Sequence, residues 1–358
     1  MEFGIVGRTT EGFFRYQAWP TVAKDADGVI YAAASGHRLG HVCPFGKDLL
    51  YISRDDGKNW EGPIIVNDTY LDDRDAGLCA WGKGNLVMSW FTLGPDQLDR
   101  REAEGRPMVK TQLVNAAREL WKELPAEDTK IGAFVKVSED GGKNWSDGIR
   151  VPVTSPHGPT RKADGTLLFL GKEKCWGNGL TPNHIYTFES KDGGYTWERL
   201  GYVELPEGFD ASEIHEPHAI ELPDGTILGG LRVSSPKLPG KNGIFTTFSY
   251  DGGKTFTKPQ LLDLCGTPPH FLLHSSGAIV LTYGRRIAPC EERAVISWDG
   301  GKTWSEEITI SQESPDWDLG YPASVELSDG SILTVYYQKY PGDSYNSILY
   351  TKWDLPQR

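Results

Sequence analysis

An all-β fold, a six-bladed β-propeller, is what this sequence predicts, and two interleaved repeats predict it. The first is a turn that recurs five times: Ser53-Arg-Asp-Asp-Gly-Lys-Asn-Trp60, Ser138-Glu-Asp-Gly-Gly-Lys-Asn-Trp145, Ser190-Lys-Asp-Gly-Gly-Tyr-Thr-Trp197, Ser249-Tyr-Asp-Gly-Gly-Lys-Thr-Phe256 and Ser297-Trp-Asp-Gly-Gly-Lys-Thr-Trp304. Recurrence at a period of tens of residues fixes architecture before any local reading. In each copy the Asp can bond backbone N–H groups, Gly supplies positive φ, and the terminal aromatic can plug against a sheet. The second repeat is a hairpin turn before an apolar run, found six times: Asp27-Gly28, Lys83-Gly84, Asp164-Gly165, Asp224-Gly225, Ser276-Gly277 and Asp329-Gly330. Asp-Gly between apolar stretches is the strongest short-range hairpin sign. An ordinary β-sandwich does not explain two turn types alternating along the whole chain. Six four-stranded blades do, at roughly 60 of the 358 residues each, with short protected edges.

The elements follow in order. An N-terminal strand near Phe3–Val6 is expected to complete the sixth blade, whose own sequence ends at Ile348–Trp353. The interval between the first two Ser-x-Asp turns is the longest (138 − 53 = 85 residues). Its excess lies at about 96–128, where Val109 to Trp121 carries apolar residues at helical spacing. This predicts a helical insertion in blade two that covers a pocket, contacts another subunit or decorates the surface. Residues 1–358 read as one domain, because a propeller shares its core among all blades. The 12 Trp, 15 Tyr and 13 Phe supply large side chains for that core.

Charge and composition exclude several functions. A formal net charge of −12 argues against nucleic acid and anionic membranes as partners. No stretch is apolar for long enough to span a bilayer. The start, Met1 to Arg8, has neither a basic n-region nor an apolar h-region, so a cytoplasmic protein is expected. Five cysteines with no close pairing pattern suit reduced thiols. No Cys/His cluster has zinc-finger spacing, and neither a metal nor a cofactor is expected.

The functional mouth is found by aligning the hairpins. Residues before the first strand of each blade, and after the second, converge on one rim of the axial channel. Before the first strand stand Arg15 to Trp19, Asp72 to Asp75, His157, His215-Glu216, His270 and Tyr321. After the second stand His37-Arg38, Trp90, Lys172, Arg232, Arg285-Arg286 and Tyr337-Gln338, and loops add His41 and Trp176. Ionisable and aromatic residues at so many equivalent positions point to a binding mouth for a small molecule rather than to surface decoration.

The Ser-x-Asp-x-Gly-x-Thr-Trp turns resemble the Asp-boxes of the sialidase (neuraminidase) superfamily, and the resemblance spans nearly the whole chain. Asp-boxes mark a fold more than an activity, so rim residues decide. Glu216-Pro-His-Ala-Ile-Glu-Leu-Pro-Asp-Gly-Thr-Ile-Leu-Gly-Gly-Leu-Arg232 resembles the stretch with the catalytic Glu and one Arg of the carboxylate-binding triad. Leu281-Thr-Tyr-Gly-Arg285-Arg286 is similar to the segment with another triad Arg, and Gly320-Tyr321-Pro-Ala-Ser-Val-Glu resembles the segment of the nucleophilic Tyr. Glu216 and Tyr321 stand at the same place before their hairpin turns (224 − 216 = 8; 329 − 321 = 8). The resemblance departs at two points. Ala18 stands where the family has the first triad Arg, leaving Arg15 or Arg38 as out-of-register substitutes. His41 stands near the expected acid/base Asp, with Asp73 or Asp75 on the next blade as its rival.

The resemblance implies a retaining exo-glycosidase releasing a terminal acidic sugar, sialic acid or a relative. Tyr321 would be nucleophile, Glu216 its base, and His41 or Asp75 the acid. Arg232, Arg285, Arg286, Arg38, Arg15, His37, Trp176, His215 and Gln338 would bind substrate. Guanidinium groups hold a planar carboxylate in two-point contacts, and a neutral phenol avoids repulsion from the sugar acid. A second expectation is a hydrolase or lyase using His and Tyr on another uronic or keto-deoxy sugar. A third is a propeller that binds carbohydrate without turning it over. The expected partner in each case is an acidic glycan, and assembly into an oligomer stays open.

Overall fold

The structure, a computed structural model, describes residues 1–105, 111–174 and 178–358, without the side chains of residues 95 and 96. Six four-stranded antiparallel sheets follow one another along the chain. Blade one is built from Tyr16–Lys24, Ile30–Arg38, Lys47–Ser53 and Glu61–Asn67. Blade two uses Asp72–Trp81, Asn85–Leu93, Ala133–Ser138 and Ile149–Val151, and blade three Thr160–Arg161, Leu167–Lys172, Ile185–Ser190 and Glu198–Val203. Blade four uses Ile214–Glu221, Ile227–Ser234, Asn242–Ser249 and Gln260–Leu261, and blade five Thr267–Leu273, Ile279–Arg285, Glu291–Ser297 and Ile308–Thr309. Blade six takes Gly320–Glu326, Ile332–Lys339 and Asn346–Trp353 from the end of the chain and Glu2–Gly7 from its start. The register runs from Glu2 opposite Lys352 to Gly7 opposite Ile348. The expected closing strand is therefore present. A two-point ion pair from Arg8 to Asp343, at 2.8 Å for both bonds, stands just beyond it.

The core is not one mass but six layers, each between neighbouring blades. Within the strand after Ala278 the alternation is plain: Ala278 and Val280 pack toward blade six, Ile279 and Leu281 toward blade four. Successive side chains of a strand point to opposite faces, so a sheet buried on both faces reads as continuous apolar sequence. The Ser-x-Asp turns join the layers. In the third copy Ser190 Oγ donates to Asp192 at 2.8 Å and accepts from the Gly194 N–H at 2.8 Å. Asp192 also accepts from the Thr196 N–H, and the Trp197 indole donates to the Gly194 carbonyl at 2.9 Å. Gly194 has φ +106, and a Cβ there would lie 2.6 Å from Val87 of the neighbouring blade. The glycine is thus required both by its dihedral and by the approach of the next sheet.

The insertion in blade two holds two helices, α1 (Pro95–Ala103) and α2 (Thr111–Lys122). The helical spacing from Val109 to Trp121 becomes α2, while residues 106–110 lie outside the described residues. The α1 helix was not expected. Val114, Ala117 and Trp121 of α2 pack with Leu98, Val42 and Leu71. Among the described residues no helix is long and apolar enough to cross a membrane.

The inner strands carry the feature that builds the site. In five blades the register of the first strand slips next to Trp19, Asp75, Glu216, Pro268 and Tyr321, and in blade one it slips a second time between Tyr16 and Ala18. Four of these are not proline and hold left-handed backbone: Trp19 (φ 53), Asp75 (φ 56), Glu216 (φ 37) and Tyr321 (φ 54). Bulges re-aim a side chain out of the ladder, and a following proline, which has no N–H to pair, suits them. Pro20, Pro217, Pro269 and Pro322 fill that place. Gly194→Ala should cost about 1–3 kcal/mol more than Gly12→Ala, which shares the positive φ but meets open space. Urea midpoints at unchanged slope measure the difference.

Candidate active site

One cleft of about 410 Å³ opens at the axial mouth toward which the bulges turn. Trp19, Asp75, Glu216 and Tyr321 all line it. Each stands nine residues before its hairpin glycine: Gly28, Gly84, Gly225 and Gly330. Arg74, Lys172, Lys174, His215, Arg232, Arg286 and His41 complete its charged lining. Gln97 and Arg101 of α1 form one wall, so the insertion borders the cleft.

The chemistry centres on Arg232. Its Nη1 donates to Glu216 Oε2 at 2.5 Å and to the Tyr321 hydroxyl at 3.3 Å. Burial pushes the Glu216 carboxyl up, but Arg232, His215 and Lys174 outweigh it and hold the group at about 2. Tyr321 moves the other way. Burial and the charges of Glu216 and Asp75 raise it well above the usual phenol value, against Arg232 and Arg286. The pair therefore rests as a carboxylate and a neutral phenol under one guanidinium. Arg286 lies across the Tyr321 ring at 5.6 Å, held by the Leu319 carbonyl at 2.9 Å and the Tyr337 hydroxyl at 3.1 Å.

On the blade-one side His41 Nδ1 meets Asp318 at 3.0 Å and the Tyr16 hydroxyl at 3.2 Å. Asp318 also accepts from the hydroxyls of Tyr16 at 2.9 Å and Tyr337 at 3.1 Å. Burial lowers His41 and outweighs the pull of Asp318. The Asp75 carboxyl goes up through burial, against Arg74 and Lys174. Its backbone N–H donates to Ser35 Oγ at 2.9 Å. Lys172 donates to the Ala211 and Ile214 carbonyls and contacts His215 Nδ1 at 3.1 Å, so His215 is oriented by a lysine.

Several expected residues are elsewhere. Arg38 is fully buried beneath Trp19, 2.6 Å from Asp72, and is a structural ion pair. Arg15 stacks on Tyr345 and donates to the Thr10 carbonyl, away from the cleft. Arg285 turns outward to the Ile287 and Pro289 carbonyls and lines a separate groove, leaving its neighbour Arg286 at the site. Alternation along the strand end explains why only one of the two adjacent arginines faces the axis. His37 has Lys47 and Asp68 as charged neighbours and does not line the cleft. Gln338 is buried against Gln312. Trp176 lies outside the described residues.

Lys174 and Asp318 were missed, and Arg74, within the rim stretch Asp72 to Asp75, was given no role. The nine-residue spacing from the hairpin glycine would have placed Asp75 in register with Glu216 and Tyr321, and Trp19 with them. Arg74 follows as the preceding residue, in cation–π contact with Trp19 at 4.2 Å and bonded to the His41 carbonyl at 3.0 Å. No local signal marks Asp318.

Deeper along the axis, three histidines from blades three, four and five pack together. The His218 and His270 rings stack at 4.4 Å, and His157 lies 4.9 Å from His270 and 6.4 Å from Tyr321. His218 Nδ1 accepts from the Phe271 N–H and His270 Nδ1 from the Ser324 N–H, so each ties its blade to the next. Among the described residues no group of three or more His, Cys, Asp or Glu is arranged to hold a metal.

Comparison with known proteins follows the same lines. Residues 114–335 match the family described as BNR repeat-like domain. No curated protein sequence matches the chain. Among solved structures, it resembles a protein of unknown function from Dyadobacter fermentans at 22% identity and TM-score 0.76, covering 99% of this chain and 98% of that one. It also resembles the NanB sialidase of Streptococcus pneumoniae (14% identity, TM-score 0.68, 99% of this chain and 70% of that one). A third is the intramolecular trans-sialidase of Ruminococcus gnavus (16%, TM-score 0.62, 97% and 95%). At these identities the likeness shows the propeller fold.

The axial histidines carry a pH prediction. Burial lowers all three, His157 from 6.5 to about 3, so the unfolded chain binds protons that the folded one refuses. Their contribution is intact above about pH 6.5 and falls away as pH drops toward the folded values, by up to about 1.4 kcal/mol per pH unit for each ring. Urea unfolding at stepped pH should show stability lost on acidification, and less steeply in His157→Gln.

Proposed function

The chain belongs to the BNR repeat-like family, and from that membership and the geometry of the cleft we propose that it is an exo-acting retaining glycosidase releasing a terminal acidic sugar, sialic acid or a related sugar acid. The observation that carries the reading is the single guanidinium of Arg232 bonded to both Glu216 and Tyr321. Two-carboxylate glycosidases need no such phenol, whereas a Tyr nucleophile is the known exception for sialidases.

The same arrangement supports a sequence of steps. Arg232 and Arg286 take the sugar carboxylate, which competes with Glu216 for Arg232. Glu216 thereby regains basicity and accepts the Tyr321 proton as the phenolic oxygen bonds to the anomeric carbon. The glycosidic C–O bond breaks, and the leaving oxygen takes a proton from His41 or Asp75. Water then attacks the same carbon, its proton passing back to that residue, and Tyr321 departs with its proton restored. A neutral phenol approaches a carboxylate-bearing carbon without the repulsion that a carboxylate nucleophile would meet. Arg74 lines the cleft beside Trp19.

Tyr321→Phe should abolish release of 4-methylumbelliferone from its α-sialoside, while Arg232→Ala chiefly raises KM; turnover surviving Tyr321→Phe removes the mechanism. His41→Ala and Asp75→Asn separate the two proton donors. The true donor's variant should lose about 10²–10⁴-fold on a lactose-linked substrate and much less on the activated aryl glycoside.

A further inference from the structure

The cleft carries more positive charge than one sugar carboxylate requires, in a protein whose formal net charge is −12. Six cationic side chains line it against the carboxylates of Asp75 and Glu216. Lys172 is spent on the Ala211 and Ile214 carbonyls, and the other five fall into two groups. Arg232 and Arg286, from blades four and five, flank Tyr321. Arg74 of blade two and Lys174, just after the second strand of blade three, both act on the Asp75 carboxyl, and Arg101 of α1 lines the same cleft.

Lys174 is the telling member. It is partly buried, its ammonium lies 3.3 Å from the centre of the Phe91 ring, and no described carboxylate comes within ion-pair distance. Burial lowers it to about 8, against the more distant pull of Asp75 and Glu216. A charge kept in such a place without a counterion is unfavourable, and a ligand anion removes the penalty. The Phe91 face supplies only a weak substitute.

We propose that the substrate carries a second oxyanion, a sulfate or phosphate ester or a second carboxylate, taken by Lys174 and Arg74 while Arg232 and Arg286 hold the carboxylate. This rests on the acidic-sugar reading and narrows it to dianionic sugars. Arg74 is oriented for the task through Nη1, which donates to the His41 carbonyl at 3.0 Å and to Asp72 at 3.3 Å, with the guanidinium carbon 4.2 Å from the centre of the Trp19 ring, so its remaining N–H groups are the ones to meet an oxyanion.

The test compares 2,3-dehydro-sialic acid with its singly sulfated and singly phosphorylated esters by calorimetry. Wild type should bind at least one ester about tenfold more tightly than the parent acid. Lys174→Met should erase that margin, Lys174→Arg should keep part of it, and Arg286→Ala should weaken acid and ester alike. Thermal unfolding verifies that each variant folds. Equal affinity of wild type for acid and esters overturns the proposal, as does a Lys174→Met loss that is the same for both. If the parent acid and every ester fail to bind, the acidic-sugar reading falls. The second site is then judged separately by the ¹³C titration of reductively methylated Lys174, which moves upward on adding inorganic sulfate if the site exists and stays unmoved if it does not.

Discussion

A single backbone device organises this molecule: at four of the five inner-strand bulges the residue adopts left-handed φ. A β-strand would send that side chain into the layer between two blades. The bulge turns it toward the axis instead. The cost is about 1–3 kcal/mol for each non-glycine residue so held. Trp19, Asp75, Glu216 and Tyr321 all accept it, and the inter-blade layers on both sides of each sheet hold the conformation in place. Strain is concentrated where chemistry is concentrated, because the same device repeats blade after blade and each copy can carry a different functional group.

Electrostatics then sorts those groups. Burial alone would protonate Glu216 and keep Tyr321 neutral. The Arg232 guanidinium reverses the first effect and only moderates the second, so a carboxylate and a phenol coexist at one guanidinium. The balance is movable. Any anion that draws Arg232 away changes the basicity of Glu216 at once, and ligand binding is thereby coupled to the state of the nucleophile. His41 and Asp75 sit under the opposite influences of burial and neighbouring charge, one lowered and one raised.

Much of this was legible in the sequence, for identifiable reasons. The two turn motifs are local, since their hydrogen bonds join residues a few positions apart, as between Ser190 and Gly194. Local chemistry leaves a sequence signature, and six blades followed from it. Glu216, Arg232 and Tyr321 were legible because the repeat puts them in register. Arg38 and Arg285 misled because a side chain at a strand end can face either way, and only packing decides. Asp318 was invisible, because its partners Tyr16 and His41 lie almost a full chain length away. Lys174 was passed over beside Lys172, which lines the cleft as its rim position implied and also braces His215. The axial histidines looked functional, yet two of them bond backbone N–H groups of neighbouring blades.

The strand Glu2–Gly7, paired with Asn346–Trp353, also governs the timing of folding. During synthesis Glu2–Gly7 emerges more than 330 residues before Asn346–Trp353 (346 − 7 = 339), with one edge of the future sixth sheet unpaired in the meantime. Unpaired edges invite the wrong neighbour. Five blades can stack progressively, but the toroid stays open until Asn346–Trp353 is available to pair, so its most aggregation-prone interval is the one before that strand appears.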